Sequence, residues 1–349
     1  MTRARVSALP IVVLLALAGA LALSAGPAIG AGAHSAAVSS RTSSKKKAAP
    51  KPPARISATV GIGDDSPGMF SNGQFKALHT RIARYVTPYD VIVHPNVDAL
   101  GRLRQWLNAA SRAGIQPLIA FYHSNVTPKR MPSVGTYTQD VKKFLRAFPQ
   151  VRLLQPWDEA NRGTVKEPGD SYTSPSAKQS AQYYLALSSA CGRCTIVGLD
   201  VLDSTDVPAT ISYLNQFKKD VGRKHMPRIW GLHNYSDTNR FHDTGTKAVL
   251  ADTTGQVWLT ETGGIAKLSG DFSFNLSRQA KATTYMFALS RLSKRITRLY
   301  VYQWTGGNAK HEAFDAGLVD IHGKPRPAYC VVYEQLRRTA KCPYKTVKD

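Results

Sequence analysis

Two short segments hold residues whose type and setting could do chemistry: Gln155–Gly163 (QPWDEANRG), with Glu159, and Val257–Gly264 (VWLTETGG), with Glu261. Each sets one glutamate after a short β-rich run and before a loop, and the two lie 102 positions apart. One carboxyl held protonated and one held ionised on either side of a glycosidic bond are enough to cleave it. The acid protonates the leaving oxygen while the carboxylate attacks the anomeric carbon. The demand falls on the fold, which must bring two distant segments face to face.

Elements able to do this begin at residue 56. β-rich runs occupy Ile56–Gly61, Ile82–Val86, Gln116–Tyr122, Val151–Trp157, Thr195–Leu199, Arg228–His233, Val257–Thr260 and Arg298–Trp304, eight in all. Between them apolar residues recur at helical spacing. Leu100, Leu103, Trp106, Leu107 and Ala110 share one face behind Asp98, which is expected to cap the helix, and Gly114 is placed to stop it. Similar faces follow at Val141, Phe144, Leu145 and Phe148, at Tyr184, Leu187 and Cys191, at Met286, Leu289 and Leu292, and at Val332, Tyr333 and Leu336. Continuously apolar strands alternating with helices imply a parallel sheet buried on both faces and wound by right-handed crossovers. Eight such units over residues 56–340 suit a single (β/α)8 TIM barrel. A doubly wound open sheet is the competitor, but no glycine-rich fingerprint follows the first strand. A barrel gathers all its strand C-termini at one mouth, so Glu159 after strand 4 and Glu261 after strand 7 can meet there.

The chain resembles glycoside hydrolase clan A, the retaining barrel enzymes, nearest to members of families 39 and 5. Trp157-Asp-Glu-Ala-Asn161 is similar to the clan's W-N-E-P-N, with Glu159 at the acid/base, and Thr260-Glu-Thr-Gly263 is similar to its T-E-x-G, with Glu261 at the nucleophile. Tyr302-Gln-Trp304 resembles the strand-8 end that floors the sugar subsite, and Gly317–Tyr329 resembles the final loop and helix of families such as 39. The resemblance implies a single barrel that acts on carbohydrate, with no cofactor implied. It also implies roles for His233 and Tyr235 in positioning the nucleophile and the sugar. Asp158 stands where the clan has Asn, and Ala160 where it has Pro. Asp158 could accept from a sugar hydroxyl, and its charge would push the Glu159 pKa further up.

Double displacement requires a raised pKa at Glu159. Arg84, in the second strand, could hold Glu261 ionised. Trp304 offers a flat face for sugar C–H groups, and His123, closing the third strand, is a further substrate-binding candidate.

The N-terminus speaks for export. A basic start at residues 1–5, an apolar run over 7–25 and Ala31-Gly-Ala33 make residues 1–33 a signal peptide, with no membrane span expected after its cleavage. Residues 34–55 are rich in Lys, Pro and Ser, and read as a disordered linker. The first 55 residues hold eight Lys or Arg and no acid, leaving 38 basic against 23 acidic groups in the remainder. This favours an anionic cell-surface polymer as partner. Without a recognisable binding motif, nucleic acid is not expected.

Four cysteines allow three pairings, of which Cys191 with Cys194 and Cys330 with Cys342 is expected, the second stapling a C-terminal tail at 341–349 to the last helix. The cysteine spacing does not suit zinc, and His311-Glu-Ala-Phe314 lacks the second His of a zinc motif. The expectation is a secreted retaining glycosidase. The alternative is an inactive barrel that binds glycan or an anionic wall polymer.

Overall fold

The computed structural model describes residues 51–94, 97–165, 173–307 and 312–348. The expected signal peptide and residues 34–50 of the linker lie outside the described residues. In chain order the elements are β1 (Thr59–Gly63), α1 (Gly73–Leu78), β2 (Ile82–Pro88), α2 (Val97–Arg112), β3 (Gln116–Tyr122), α3 (Val134–Ala147), β4 (Leu153–Gln155), α4 (Arg162–Val165), α5 (Ala177–Ala190), β5 (Thr195–Ile196) and β6 (Asp200–Leu202). There follow α6 (Val207–Val221), β7 (Ile229–His233), α7 (Tyr235–Arg240), α8 (Thr244–Asp252), β8 (Gln256–Thr262), β9 (Lys267–Leu268), α9 (Leu276–Leu289), β10 (Ile296–Tyr302), β11 (Phe314–Asp315) and α10 (Pro327–Arg337).

Nine strands form one parallel sheet in the order β5-β4-β3-β2-β1-β10-β8-β7-β6. Its two end strands are consecutive in sequence. Val197 N–H donates to Leu154 O at 2.9 Å, and Gly198 N–H donates to Ile229 O at 2.9 Å. The segment 195–202 thus bonds β4 with its first half and β7 with its second, and the sheet curls round to meet itself as in a TIM barrel.

The barrel floor is one cluster of seven buried side chains: Ile82, Leu118, Leu153, Val197, Ile229, Trp258 and Tyr300. Side chains alternate faces along a strand, so Arg84, Gln155 and Tyr302, two residues beyond Ile82, Leu153 and Tyr300, face the same interior one layer higher. Outside the sheet the helices bury the periodic residues. Leu103, Trp106, Leu107 and Ala110 of α2 are buried, as are Val141 and Phe144 of α3.

Helix starts follow from side-chain acceptors at Ser133, Ser176, Asp206 and Asn275, with a reciprocal Ser176–Gln179 box at α5. α2 begins at Val97, and Asp98 lies in its first turn, where its charge favours the helix N-terminus. Gly114 adopts a left-handed φ of 67°, as its stopping role requires.

Both expected disulfides are present, Cys191–Cys194 and Cys330–Cys342. Beyond the second, Tyr344 packs its ring against Tyr329 and Tyr333 at 5.4 and 5.6 Å. Among the described residues no helix is long and apolar enough to cross a membrane.

Candidate active site

Glu261 is the last residue but one of β8, and a bulge decides what it faces. Gly231 pairs with Trp258 and His233 with Glu261, so β8 spends three residues where β7 spends two. Against β10 the same irregularity recurs, from Leu299↔Leu259 to Val301↔Thr262. The extra residue re-aims the strand end and sets Glu261 beside His233.

Glu159 sits on the turn after β4 with φ 43°, a left-handed conformation that costs a non-glycine residue about 1–2 kcal/mol. The turn is held from both sides. Asp158 N–H donates to Phe121 O at 2.8 Å and Ala160 N–H to Asp200 O at 2.9 Å. The Asn161 side chain donates to Leu202 O at 2.9 Å and accepts from Leu202 N–H at 2.7 Å. Its amide prolongs the ladder where β4 has ended.

These two strand ends bring one oxygen of Glu159, one of Glu261 and a nitrogen of His233 within 4.8 Å of one another. Around them is a buried ionic network. Arg84, 1% exposed in its side chain, donates from Nε to Gln155 Oε1 and from Nη1 to Glu261 Oε1, both at 2.7 Å. Its Nη2 contacts Asp158 Oδ1 and, at 3.2 Å, Asp200 Oδ2. His233 places Nε2 at 2.9 Å from Asp200 Oδ2 and Nδ1 at 3.1 Å from Glu159 Oε1. Tyr235 donates its hydroxyl to Glu261 Oε2 at 3.2 Å. The start of α7, which carries Tyr235, is fixed by Asp203, whose two oxygens accept from Ser236 and Asp237 N–H at 2.8 Å. Gly231 matters for space: a Cβ there would lie 2.2 Å from Asp200 Oδ1, which accepts from the Thr260 hydroxyl.

The charges order themselves by their neighbours. Burial disfavours a charged His233, yet Asp200 and Glu261 hold its pKa well above the usual range, so the ring stays protonated. Asp200, buried but paired with His233 and Arg84, is held below the usual carboxylate range. The expected raised pKa at Glu159 is overturned. Burial does push it up, but Arg162 Nη1 at 2.6 Å from Oε2, together with His233, carries it well below the usual range. Asp158 moves the other way, to about 7, because burial and the Glu261 and Glu159 charges outweigh Arg84 and His233. At the end of β1, burial raises Asp64 to about 6, and burial with the Asp64 charge raises Asp65 to about 7.

Among the described residues, two groups offer three metal-ligand atoms each: Asp158, Asp200 and His233, and Glu159, His233 and Glu261. A cation in either would have to displace the proton on His233, and in the first also the Arg84 guanidinium, so the donor set is that of an ion-pair network.

Of the candidate site residues, Glu159, Glu261, Asp158, His233, Tyr235 and Arg84 come together. His123 places Nδ1 3.0 Å from Ser124 O and feels the charges of Asp90 and Arg162. Trp304, 2% exposed, is packed edge-on between Phe75 and Tyr329 at 5.6 and 6.0 Å, so its ring faces the core. Its backbone N–H donates to Asp64 Oδ2 at 3.0 Å. The half-buried Tyr302 is nearer the carboxylates, feeling the charges of Glu261, Asp65, Asp64 and Asp158. Sequence reasoning missed Gln155, Asp200 and Arg162. Two signals were available: Gln155 shares Arg84's inward parity, and Asp200 is a charge inside the apolar run Val197–Leu202.

No protein-family model matches the sequence, and no curated protein matches it either. Solved structures do match in fold. Xylanase 10B from Thermotoga maritima aligns over 81% of this chain and 95% of its own, with TM-score 0.57 and 14% identity. GH5_18 from Streptomyces cattleya, solved in complex with GlcNAc, aligns over 84% and 82%, with TM-score 0.58 and 14% identity. A family 39 glycoside hydrolase from Bacteroides cellulosilyticus aligns over 81% of this chain and 64% of its own, with TM-score 0.52 and 15% identity. At such identities the likeness speaks for the backbone alone: the chain has the α/β fold of these glycoside hydrolases, a curled parallel sheet of the TIM-barrel kind.

Proposed function

We propose that the chain is a retaining glycoside hydrolase that cleaves β-linked glycans by double displacement, with Glu261 as nucleophile and Glu159 as acid/base. The observation that carries this reading is that one oxygen of Glu159 and one of Glu261 lie within 4.8 Å of each other. Retaining pairs stand about 5–5.5 Å apart, whereas inverting pairs leave room for a water at about 6.5–9.5 Å. Arg84 and Tyr235 orient Glu261 for attack, and water then releases the glycosyl-enzyme with Glu159 as base. The fold shared with xylanase and other glycosidase barrels supports the same reading. The basic start and apolar run of residues 1–25 support action outside the cell, and the Lys-rich linker supports attachment to an anionic surface polymer.

A second reading, a barrel that binds glycan without turnover, is favoured by one observation. Both Glu159 oxygens accept from cationic donors, His233 and Arg162, so in the free protein Glu159 holds no proton to give. The test is hydrolysis of activated aryl β-glycosides and soluble glycans by wild type, Glu159→Gln and Glu261→Gln, with the first-formed anomer followed by NMR. Turnover with retention, lost in both variants, is expected. Glycan binding that survives in all three proteins, with no turnover in wild type, would establish the second reading.

A further inference from the structure

Between α1 and α2 runs a groove of about 610 Å³, within the size range of small-ligand sites, that the mechanism above does not use. None of the candidate catalytic or substrate-binding residues lines it. One wall is a stripe of α2, Gln105, Asn108, Ala109 and Arg112, at the i, i+3, i+4, i+7 spacing that puts residues on one helix face. The other wall holds Pro67, from the short 3-10 helix Pro67–Ser71, and Lys76 of α1. Phe70 lines the groove from the core side, and its ring is fixed there by edge-on contacts with Trp106 at 5.0 Å and Phe75 at 5.4 Å. The groove is therefore preformed.

Its lining selects for charge and for hydroxyls together. Among the described residues no Asp or Glu lines it, and Lys76 and Arg112 form no ion pair. Two cations without counter-ions around one space attract an anionic occupant. Gln105 and Asn108 add amides that both donate and accept, as sugar hydroxyls require, and Pro67, Phe70 and Ala109 add apolar surface for sugar C–H groups. A bare phosphate would use the cations alone.

The basic linker joins the fold on the same side. Gln335 Nε2 donates to Ala54 O at 2.9 Å and Arg338 Nη1 to Pro53 O at 2.8 Å, which holds residues 53 and 54 against the end of α10. That helix is tied to α1, where the Tyr329 hydroxyl donates to Gln74 O at 3.0 Å. Lys45, Lys46, Lys47 and Lys51 shortly precede this point in sequence. A polyanion gathered by the linker is thereby brought beside α1 and Lys76.

We propose that this groove is a second, non-catalytic binding site for a strand of acidic glycan, whose carboxylates meet Lys76 and Arg112. The site goes beyond the hydrolase reading and does not depend on turnover, since holding a polymer at the barrel wall serves an enzyme and an inactive binder alike.

The test measures binding of β-1,4-linked glucuronan oligomers, their carboxyl-reduced forms and inorganic polyphosphate by calorimetry, with hydrogen exchange to locate the contact. Three proteins are compared: wild type, Lys76→Gln with Arg112→Gln, and a charge control, Lys219→Gln with Lys281→Gln, which removes two cations from α6 and α9. All four side chains are exposed, so the changes leave the core intact, and the linker is common to all three proteins. Wild type should bind glucuronan and show slowed exchange over residues 68–76 and 105–112. The groove pair should weaken that binding about tenfold or more, because each lost cation removes a charge-assisted hydrogen bond, and the control should match wild type. Equal weakening in the control, equal binding of the reduced oligomers, polyphosphate bound as tightly as glucuronan, or protection confined to other segments would each overturn the proposal. Hydrolysis of aryl β-glycosides by the same proteins keeps the two readings apart: groove binding without turnover sinks only the hydrolase, and turnover without groove binding sinks only this site.

Discussion

Arg84 and Glu261 are 177 positions apart in sequence, and their side chains meet at 2.7 Å inside the barrel. The guanidinium reaches Glu261 from β2 because both strands end at the same mouth. With its remaining donors it binds Gln155, Asp158 and Asp200. One cation thereby fixes Glu261 and holds three carboxylates in one buried space.

Removing that cation should therefore cost stability as well as activity. Arg84→Met leaves Asp158, Asp200 and Glu261 facing one another without their partner, and breaking buried pairs in this way costs about 3–5 kcal/mol. Urea unfolding at pH 7 checks the figure. Arg84→Lys keeps the charge but cannot span Gln155 and the carboxylates together, so it should recover only part of the loss. Equal stability of Arg84→Met and wild type would refute the view that the network is held by this residue.

The pH dependence of stability should carry the mark of His233. Burial lowers its pKa, but Asp200 and Glu261 raise it well above 6.5, so the folded state keeps a proton that the unfolded chain releases. The stabilisation is complete below the unfolded pKa and fades as pH rises through the folded value. Asp200→Asn removes the largest of the raising charges. Its thermal midpoint should begin to fall at a lower pH than that of wild type, and parallel curves for the two proteins would count against this assignment.

Asp65 behaves in the opposite sense to a paired carboxylate. Burial and the Asp64 charge lift its pKa from 3.8 to about 7, so the folded state favours the protonated form. Ionisation between those two values weakens the fold. Asp65→Asn should be close to neutral near pH 4 and progressively stabilising relative to wild type toward pH 8, as read by melting curves across that range. A loss that grows with pH would mean that the ionised carboxylate makes contacts the fold needs.

Two neighbouring aromatics should separate packing from substrate contact. Trp304 lies between Phe75 and Tyr329, and its truncation to Ala should cost about 3–5 kcal/mol of stability. A conservative Trp304→Phe change should lower the melting temperature and leave KM unchanged. Tyr302→Ala should instead lower kcat/KM on glycans with a smaller effect on folding. The reverse pattern would return the substrate platform to Trp304.

Much of the fold was legible because it depends on local patterning. All eight β-rich runs became strands, since apolar continuity flanked by helical periods has few other solutions. Thr195–Leu199 was read as one strand, whereas the structure has β5 at Thr195–Ile196 and a separate strand, β6, at Asp200–Leu202, hidden because Asp200 breaks the apolar run.

What the sequence by itself determined is the chemistry on offer: two glutamates at strand ends, a cation in the second strand, and His233 and Tyr235 after the sixth. Strand parity even puts Arg84 and Gln155 on one inward face. Only the tertiary structure decided how those groups share protons. Arg162 and His233 converge on Glu159 and hold it ionised, while Asp158, next to it in sequence, is left near neutrality. A pKa answers to burial and to every charge within a few ångströms; Arg162 is only three residues from Glu159, but the other partners, Arg84, His233 and Glu261, come from β2, β7 and β8.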